Sequence, residues 1–426
     1  MLLKSLMRTI ISDQLIEIKH QDHIISRDVY SMALTYEGNS ALVIKGVRRV
    51  GKSTLLKQII NTRFPASFFY FNFDDERVYG FGVEDFQVLI ETFIELFGES
   101  KNVFFDEIQN VRGWELFINR LLREGYKVFI TGSNSNLLSQ ELGTHLTGRH
   151  TDLELYPFSF AEYIRSRELR VSEKGVYTSN EKGILLREFK RYYSTGGMPE
   201  TIVSGNDSAI LQLTNDIIQK DIMTRYMVRK PLEIRNILRF LLGSVSSETT
   251  YRALARSLGV KSEKTVGKYI DHLKETYLIL EVGRYDRKLK NVNRNPRKFY
   301  CVDNGIILKN VPSFIENRGG MLENIVAVQL KRTGKEFYYY RHKSDTEVDF
   351  ILPEDRVMIQ VCYELNERNK EREVRGFAKA ANEIKATKLL ILTMEQEQSI
   401  TSGGLNIEVK PVWQWILENN LEGQAS

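Results

Sequence analysis

The sequence predicts an α/β chain: a doubly wound, mostly parallel sheet, then small helical modules, then a second α/β module at the C-terminal end. Three observations lead there. The apolar run Ala41-Leu42-Val43-Ile44 passes through a glycine-bounded loop, Gly46 to Ser53, into a helical pattern running to Ile60. A second run, Asn102-Val103-Phe104-Phe105, ends in Asp106-Glu107. Strand-like and helix-like periods alternate as far as residue 155, as they do where helices cross over a parallel sheet. The 426 residues allow about three ordinary domains. With 27% charged and 42% hydrophobic residues the composition is globular and excludes a disordered chain. No apolar run approaches the ~18–20 residues that span a bilayer, so no membrane segment is expected. The start, Met1 to Arg8, lacks the long apolar region of a signal peptide. Two distant cysteines, Cys301 and Cys362, exclude a disulfide scaffold or a zinc site and fit the cytoplasm. The net charge of +5 is mild and does not itself indicate a nucleic-acid partner.

Taken in order, Ile10, Ile11, Leu15, Ile16 and Ile18 mark an amphipathic helix ahead of the first strand. The loop that follows that strand, Gly46-Val47-Arg48-Arg49-Val50-Gly51-Lys52-Ser53, has the spacing and context of a P-loop, with Thr54 opening the helix. Its backbone N–H groups and the helix N-terminus would form a concave anion site for nucleotide phosphates. Gly46 and Gly51 allow the close approach, Lys52 supplies a point charge, and the Ser53 hydroxyl can ligate Mg²⁺. Ser67 to Asp75 reads as a second strand running into an acidic loop. The Asp106-Glu107 pair is the Walker B pattern: Asp106 would hold Mg²⁺ opposite Ser53, and Glu107 would act as general base on the attacking water. That glutamate points to an ATPase. A helix over Trp114 to Leu122 and a strand over Lys127 to Thr131 follow, and the strand ends at Gly132-Ser133-Asn134. A polar residue at this tip can reach the γ-phosphate. Asn134 is favoured over Ser133, although either would serve equally as a helix N-cap. Gly148-Arg149 precedes a strand over Asp152 to Leu155.

With these motifs in this order the sequence resembles the AAA+ superfamily of ATPases. Tyr156 to Tyr163 is similar to one subfamily of predicted bacterial and archaeal ATPases, so a prokaryotic origin is implied. The resemblance implies a core over 1–158, with Arg149 placed where the superfamily carries an arginine finger that reaches a neighbouring subunit of a homo-oligomer. A solvated loop arginine is the competing reading. A helical lid is implied over 159–232. Its Gly196-Gly197-Met198-Pro199 resembles the Gly-x-Pro element that replaces the sensor 2 arginine, which puts Pro199 near nucleotide.

Over 233–300, Tyr251 to Val260 and Ser262 to Leu273 form a helix-turn-helix pattern, with Lys264, Thr265 and Lys268 outward. Between Arg284 and Lys298 there are seven Lys or Arg and one Asp, a basic wing of the kind that meets DNA phosphates. Residues 301–426 resemble the PD-(D/E)XK nuclease-like fold. The matching positions are Glu323, Asp349 and Gln360, which in an active nuclease would hold Mg²⁺. Cys362 stands where such nucleases carry lysine, which implies that the fold remains and phosphodiester cleavage is lost. The whole implies a Mg²⁺-dependent ATPase whose nucleotide state gates DNA engagement by the winged helix and the tail. A switch that binds a protein partner and an ATP-regulated nuclease with an altered site are the alternatives.

Overall fold

The computed structural model describes residues 3–19, 24–133, 148–172, 175–206, 208–288, 295–312, 317–342 and 346–424. It divides into two units, Met1–Tyr156 with Glu275–Tyr277, and Pro157–Lys274 with Leu278–Ser426.

The first unit is built on five strands: β1 (Ala41–Lys45), β2 (Phe69–Asn72), β3 (Asn102–Asp106), β4 (Lys127–Gly132) and β5 (His150–Glu154). Their order is β2-β3-β4-β1-β5, and every pairing is parallel. Strand β4 therefore lies between the strand that feeds the glycine loop and the strand that ends in Asp106. Buried parallel strands read as continuous apolar runs, and β1 is buried at all five positions. Helices α1 (Lys4–Lys19), α2 (Tyr30–Leu34), α3 (Lys52–Arg63), α4 (Asp85–Phe97) and α5 (Trp114–Arg123) complete the unit. Its core is aromatic: Phe69 stacks on Phe93 with ring centres 4.8 Å apart, and Phe104 on Phe129 at 4.6 Å.

The second unit begins with helices α6 (Phe160–Ser166), α7 (Ser179–Thr195), α8 (Pro199–Ser204) and α9 (Ser208–Asp216). The last continues as a π-helical stretch over Ile217–Thr224. After α10 (Pro231–Gly243) and β6 (Glu248–Thr249) come α11 (Tyr251–Leu258) and α12 (Glu263–Glu275), joined at Gly259, whose φ is 65°. Val266, Ile270 and Leu273 are buried on α12 and Lys264 and Lys268 are exposed, the division the spacing predicts. Strands β7 (Ile279–Gly283) and β8 (Arg297–Cys301) close a three-stranded antiparallel sheet in the order β6-β8-β7. Helix α13 (Asn304–Asn310) follows, capped by Asp303, and packs on α7 and α9.

Helix α14 (Arg318–Arg332) leads into β9 (Tyr338–Arg341), β10 (Glu347–Leu352), β11 (Val357–Val361), α15 (Glu367–Ile384) and β12 (Lys388–Thr393). A hairpin the sequence reading did not anticipate, β13 (Gln398–Ser402) with β14 (Leu405–Pro411), and α16 (Val412–Gln424) end the unit. The sheet order is β13-β14-β12-β11-β10-β9. Beyond β7, the Tyr285 N–H donates to the Tyr339 carbonyl at 2.7 Å, which joins the smaller sheet to β9. No described helix is long and apolar enough to cross a membrane.

Candidate nucleotide-binding site

Strand β1 hands the chain to Gly46, where a Cβ would stand 2.2 Å from the Leu155 carbonyl oxygen. Only glycine lets the loop leave the strand so close to a neighbouring backbone. Val47 and Val50 are buried, and the Val50 N–H donates to the Val47 carbonyl at 3.3 Å. Arg49 (φ 62°) and Gly51 (φ 98°) take left-handed conformations, the means by which a turn folds successive N–H groups onto one concave side. Gly51 then caps α3, which starts at Lys52. The buried Arg27 donates to the Val50 carbonyl at 2.9 Å and also to the Tyr156 carbonyl, tying the loop to the end of the sheet.

The Lys52 side chain folds back under this loop. Its Nζ lies 3.2 Å from the Gly46 carbonyl, 3.3 Å from the Val47 carbonyl and 3.3 Å from Glu107 Oε1. Asp106, at the end of β3, is buried. The Thr131 hydroxyl on β4 donates to its Oδ1, the Tyr70 hydroxyl on β2 reaches its Oδ2 at 3.3 Å, and the Ser53 hydroxyl also bonds to it. Burial and the neighbouring Glu107 push the Asp106 carboxyl above its usual range, against the pull of Ser53, Thr131 and Lys52. Ser53 and Asp106, a hydroxyl and a carboxylate in contact, are a hard-oxygen donor set suited to Mg²⁺.

Glu107 sits at φ 51°, ψ 41°, a left-handed conformation that swings it out of the strand line. Its N–H donates to Thr131 Oγ1 at 2.9 Å, so one threonine fixes both acidic residues. Burial works to raise its carboxyl, but Lys52, the Gln109 amide and Arg48 override that and hold it below the ordinary value. Gln109 Nε2 and Ser133 Oγ both donate to Glu107 Oε2. Sequence reading missed Thr131, Gln109 and Arg27. Thr131 had a signal, as a polar residue at the end of an apolar strand; Arg27 had none.

An AAA domain model matches residues 38–164, and two models of domains of unknown function, DUF8612 and DUF4143, match 186–311 and 318–415. The uncharacterized protein MJ1544 of Methanocaldococcus jannaschii is 33% identical over 432 residues, covering 97% of this chain and 96% of that one. The chain belongs to the MJ1544 family. An uncharacterized protein of Haemophilus influenzae is 29% identical over 93% of this chain and 99% of its own length. Among solved structures, a mutant RuvB of Thermotoga maritima is similar at 16% identity and a TM-score of 0.29, covering 67% of this chain and 94% of that one. The Saccharomyces cerevisiae Hsp104-ADP complex aligns at 14% identity and 0.32, covering 67% and 41%. Superpositions this loose add nothing to the fold, which rests on the parallel strand order and the glycine loop. AAA domain, P-loop and sheet together make this MJ1544-family member an ATPase-type nucleotide-binding protein.

Other predicted positions fall in different places. Thr54 is exposed on α3, and Arg48 approaches Asp74 at 3.8 Å. The Arg149 guanidinium donates to Asn119 of α5 at 3.2 Å. Asn134 lies outside the described residues. Pro199 opens α8 in the second unit, and the glycines before it have a structural task. Asp303 accepts from the Gly197 N–H at 2.5 Å and from the Gly305 N–H at 2.8 Å. A Cβ on Gly196 (φ 77°) would meet Asp303 Oδ1 at 2.1 Å. Burial pushes the Asp303 carboxyl up to about 6, against the pull of these N–H groups and Arg332.

The tail positions do come together, around a cation the sequence reading did not assign to them. Lys298 of β8 is buried, and its Nζ lies 2.9 Å from Glu323, 3.1 Å from Asp349 and 2.5 Å from Glu347. The three carboxylates hold this ammonium well above its ordinary pKa against the opposing effect of burial. Burial and Asp349 raise the Glu323 carboxyl, and the Tyr300 hydroxyl donates to it at 2.6 Å. Gln360 Nε2 donates to Glu373 at 2.8 Å. The expected metal-holding trio is corrected accordingly: an internal ammonium stands between its two acids, and Gln360 turns its amide to Glu373. Among the described residues no group of His, Cys, Asp or Glu has metal-ligand geometry. Cys362 is buried, with its thiol pushed up to about 12 by burial and nearby acids.

Part of the basic wing is engaged within the protein. Arg284 donates to the Arg341 carbonyl, Arg287 to the Glu383 carbonyl at 2.6 Å, Arg297 pairs with Glu281, and Lys298 is buried as described. Four of its seven cations are thus tied into the protein, and Lys290 and Arg294 lie outside the described residues.

Proposed function

We propose that this MJ1544-family protein hydrolyses ATP with Mg²⁺ and uses its nucleotide state to gate engagement of DNA by the α11–α12 helix pair, acting as a winged helix, and by the tail. The observation that carries the reading is the meeting of Lys52, Asp106 and Glu107 beneath the glycine loop. Ser53 and Asp106 would hold Mg²⁺, which would supply positive charge to offset that developing on the phosphates. Incoming phosphates draw Lys52 away from Glu107, which frees Oε1, while Gln109 and Ser133 keep Oε2 in place. The freed oxygen then accepts a proton from water. The water oxygen bonds to the γ-phosphorus as the bond from that phosphorus to the bridging oxygen breaks. Arg149 takes the inter-subunit role implied by the AAA+ resemblance, and the tail binds without cleaving.

The test is Mg²⁺-dependent ATP hydrolysis with and without duplex DNA, on wild type, Glu107→Gln and Lys52→Ala. Glu107→Gln is expected to bind ATP and lose turnover by about 10²–10⁴-fold, the usual contribution of a general base. Lys52→Ala should lose binding itself. Undiminished hydrolysis by Glu107→Gln would sink the catalytic assignment. A wild-type rate indifferent to DNA would move the search to a protein partner.

A further inference from the structure

Five exposed cations of the second unit cluster on the helix pair, while much of the hairpin's charge is taken up internally. Arg252 and Arg256 are exposed on α11, Lys261 on the connecting turn, and Lys264 and Lys268 on α12. Among the described residues none of these five makes an ion pair or a side-chain hydrogen bond. Arg252 with Arg256 and Lys264 with Lys268 are like charges four positions apart on their helices, an arrangement that costs an isolated helix a few tenths of a kcal/mol. By contrast Arg284, Arg287, Arg297 and Lys298 of the hairpin all have internal partners.

Arg252, Lys264 and Lys268 line one depression of about 780 Å³, together with Thr250, Tyr251 and Arg297. Acids are present at its edge: Glu263 lines it, and so does Asp271, which accepts from Lys274 at 3.4 Å. The N-terminal turns of both helices reach this depression, and their N–H groups add partial positive charge of the kind that receives phosphate oxygens. Tyr251 closes one wall. Its ring lies against Gly267, where a Cβ would come within 3.1 Å, and the Arg297 guanidinium sits 5.2 Å from the ring centre.

We infer that this α11–turn–α12 face is where the protein holds the phosphate backbone of duplex DNA, and that the hairpin base serves as its scaffold. The inference rests on the DNA-engagement reading above and narrows it to one surface. A duplex suits the face because α12 is a single exposed helix with its cations about 6 Å apart along the axis, and a major groove about 12 Å wide admits a helix of this kind. Five backbone contacts would give a slope of log affinity against log salt near −4.5, or a loss of about 10²–10³-fold between 50 and 200 mM.

The test uses the full chain with a dye-labelled 20-base-pair duplex of mixed sequence, read by fluorescence anisotropy across 50 to 200 mM KCl with ATP present. Wild type should bind with that steep slope. Lys264→Ala combined with Lys268→Ala should bind at least tenfold more weakly and lower the slope by about 2. Arg287→Ala, on the hairpin, should stay within twofold of wild type. Unchanged basal ATP hydrolysis will show that the variants are folded. Salt-sensitive wild-type binding that the double variant retains would overturn the face and leave the DNA reading standing. Wild type that fails to bind the duplex even at 50 mM would overturn the DNA reading and the face together. Tighter binding of the matching single strand would overturn the duplex assignment.

Discussion

Replacing Lys298 by methionine is the sharpest perturbation of the second unit. The side chains are similar in length, so packing changes little while one buried charge disappears. Three carboxylates lie within 3.1 Å of that charge, and Lys298 is 2% exposed. After substitution Glu323 keeps the Tyr300 hydroxyl, and Asp349 keeps the Val361 N–H at 2.9 Å, but both lose the ammonium in contact with them. Removing one member of a buried ion pair costs roughly 3–5 kcal/mol, a large part of the ~5–15 kcal/mol that stabilises a domain. For a unit of this size that is a fall in Tm of roughly 6–20 °C. Calorimetry of the full chain would follow the transition of the second unit. A compensated variant, Lys298→Met with Glu323→Gln and Asp349→Asn, removes the buried charges together and should recover most of the loss. If Lys298→Met alone melts within a degree or two of wild type, the lysine does not hold these acids and the reasoning fails.

Two further outcomes follow from the Asp303 region. Gly196→Ala forces a left-handed alanine and drives its Cβ into Asp303, whereas Gly205→Ala (φ 67°) meets nothing within 4 Å. In denaturant titration Gly205→Ala should cost about 1–2 kcal/mol and Gly196→Ala clearly more; equal losses would remove the packing argument. Asp303 itself has a folded pKa raised to about 6 from an unfolded value near 3.8. A raised carboxyl stabilises when protonated, so its contribution is full below about pH 4 and is lost as pH climbs through 6. Asp303→Asn should erase that part of the stability–pH slope between pH 4 and 6, and an unchanged slope would show that Asp303 does not titrate there.

The nucleotide site was legible because its chemistry is local. A phosphate cradle needs two glycines, a lysine and a hydroxyl within eight consecutive residues, and Asp106-Glu107 needs only the end of a buried strand. The residues that were missed act across the sheet. Thr131 reaches Asp106 from β4, and Arg27 reaches Val50 from 23 positions earlier. The tail fails in the same way. Glu323, Asp349 and Gln360 could be picked out by pattern, but the ammonium between the first two comes from β8, on the other side of an expected domain boundary at 300. The basic run from Arg284 to Lys298 misled for a related reason: sequence counts charges and does not see their partners. Strand edges erred little.

The place where Lys298 sits bears on how such chains can be rearranged. A lysine on one side of residue 300 neutralises acids on the other, and the Tyr285–Tyr339 hydrogen bond joins the two sheets at the same seam. A C-terminal tail transplanted without its β8 would arrive with a buried, uncompensated negative cluster. A helix pair and hairpin kept without the tail would carry an unmatched lysine. The heritable piece is therefore larger than either motif, and recombination that preserves folding has to carry β8 and the tail together.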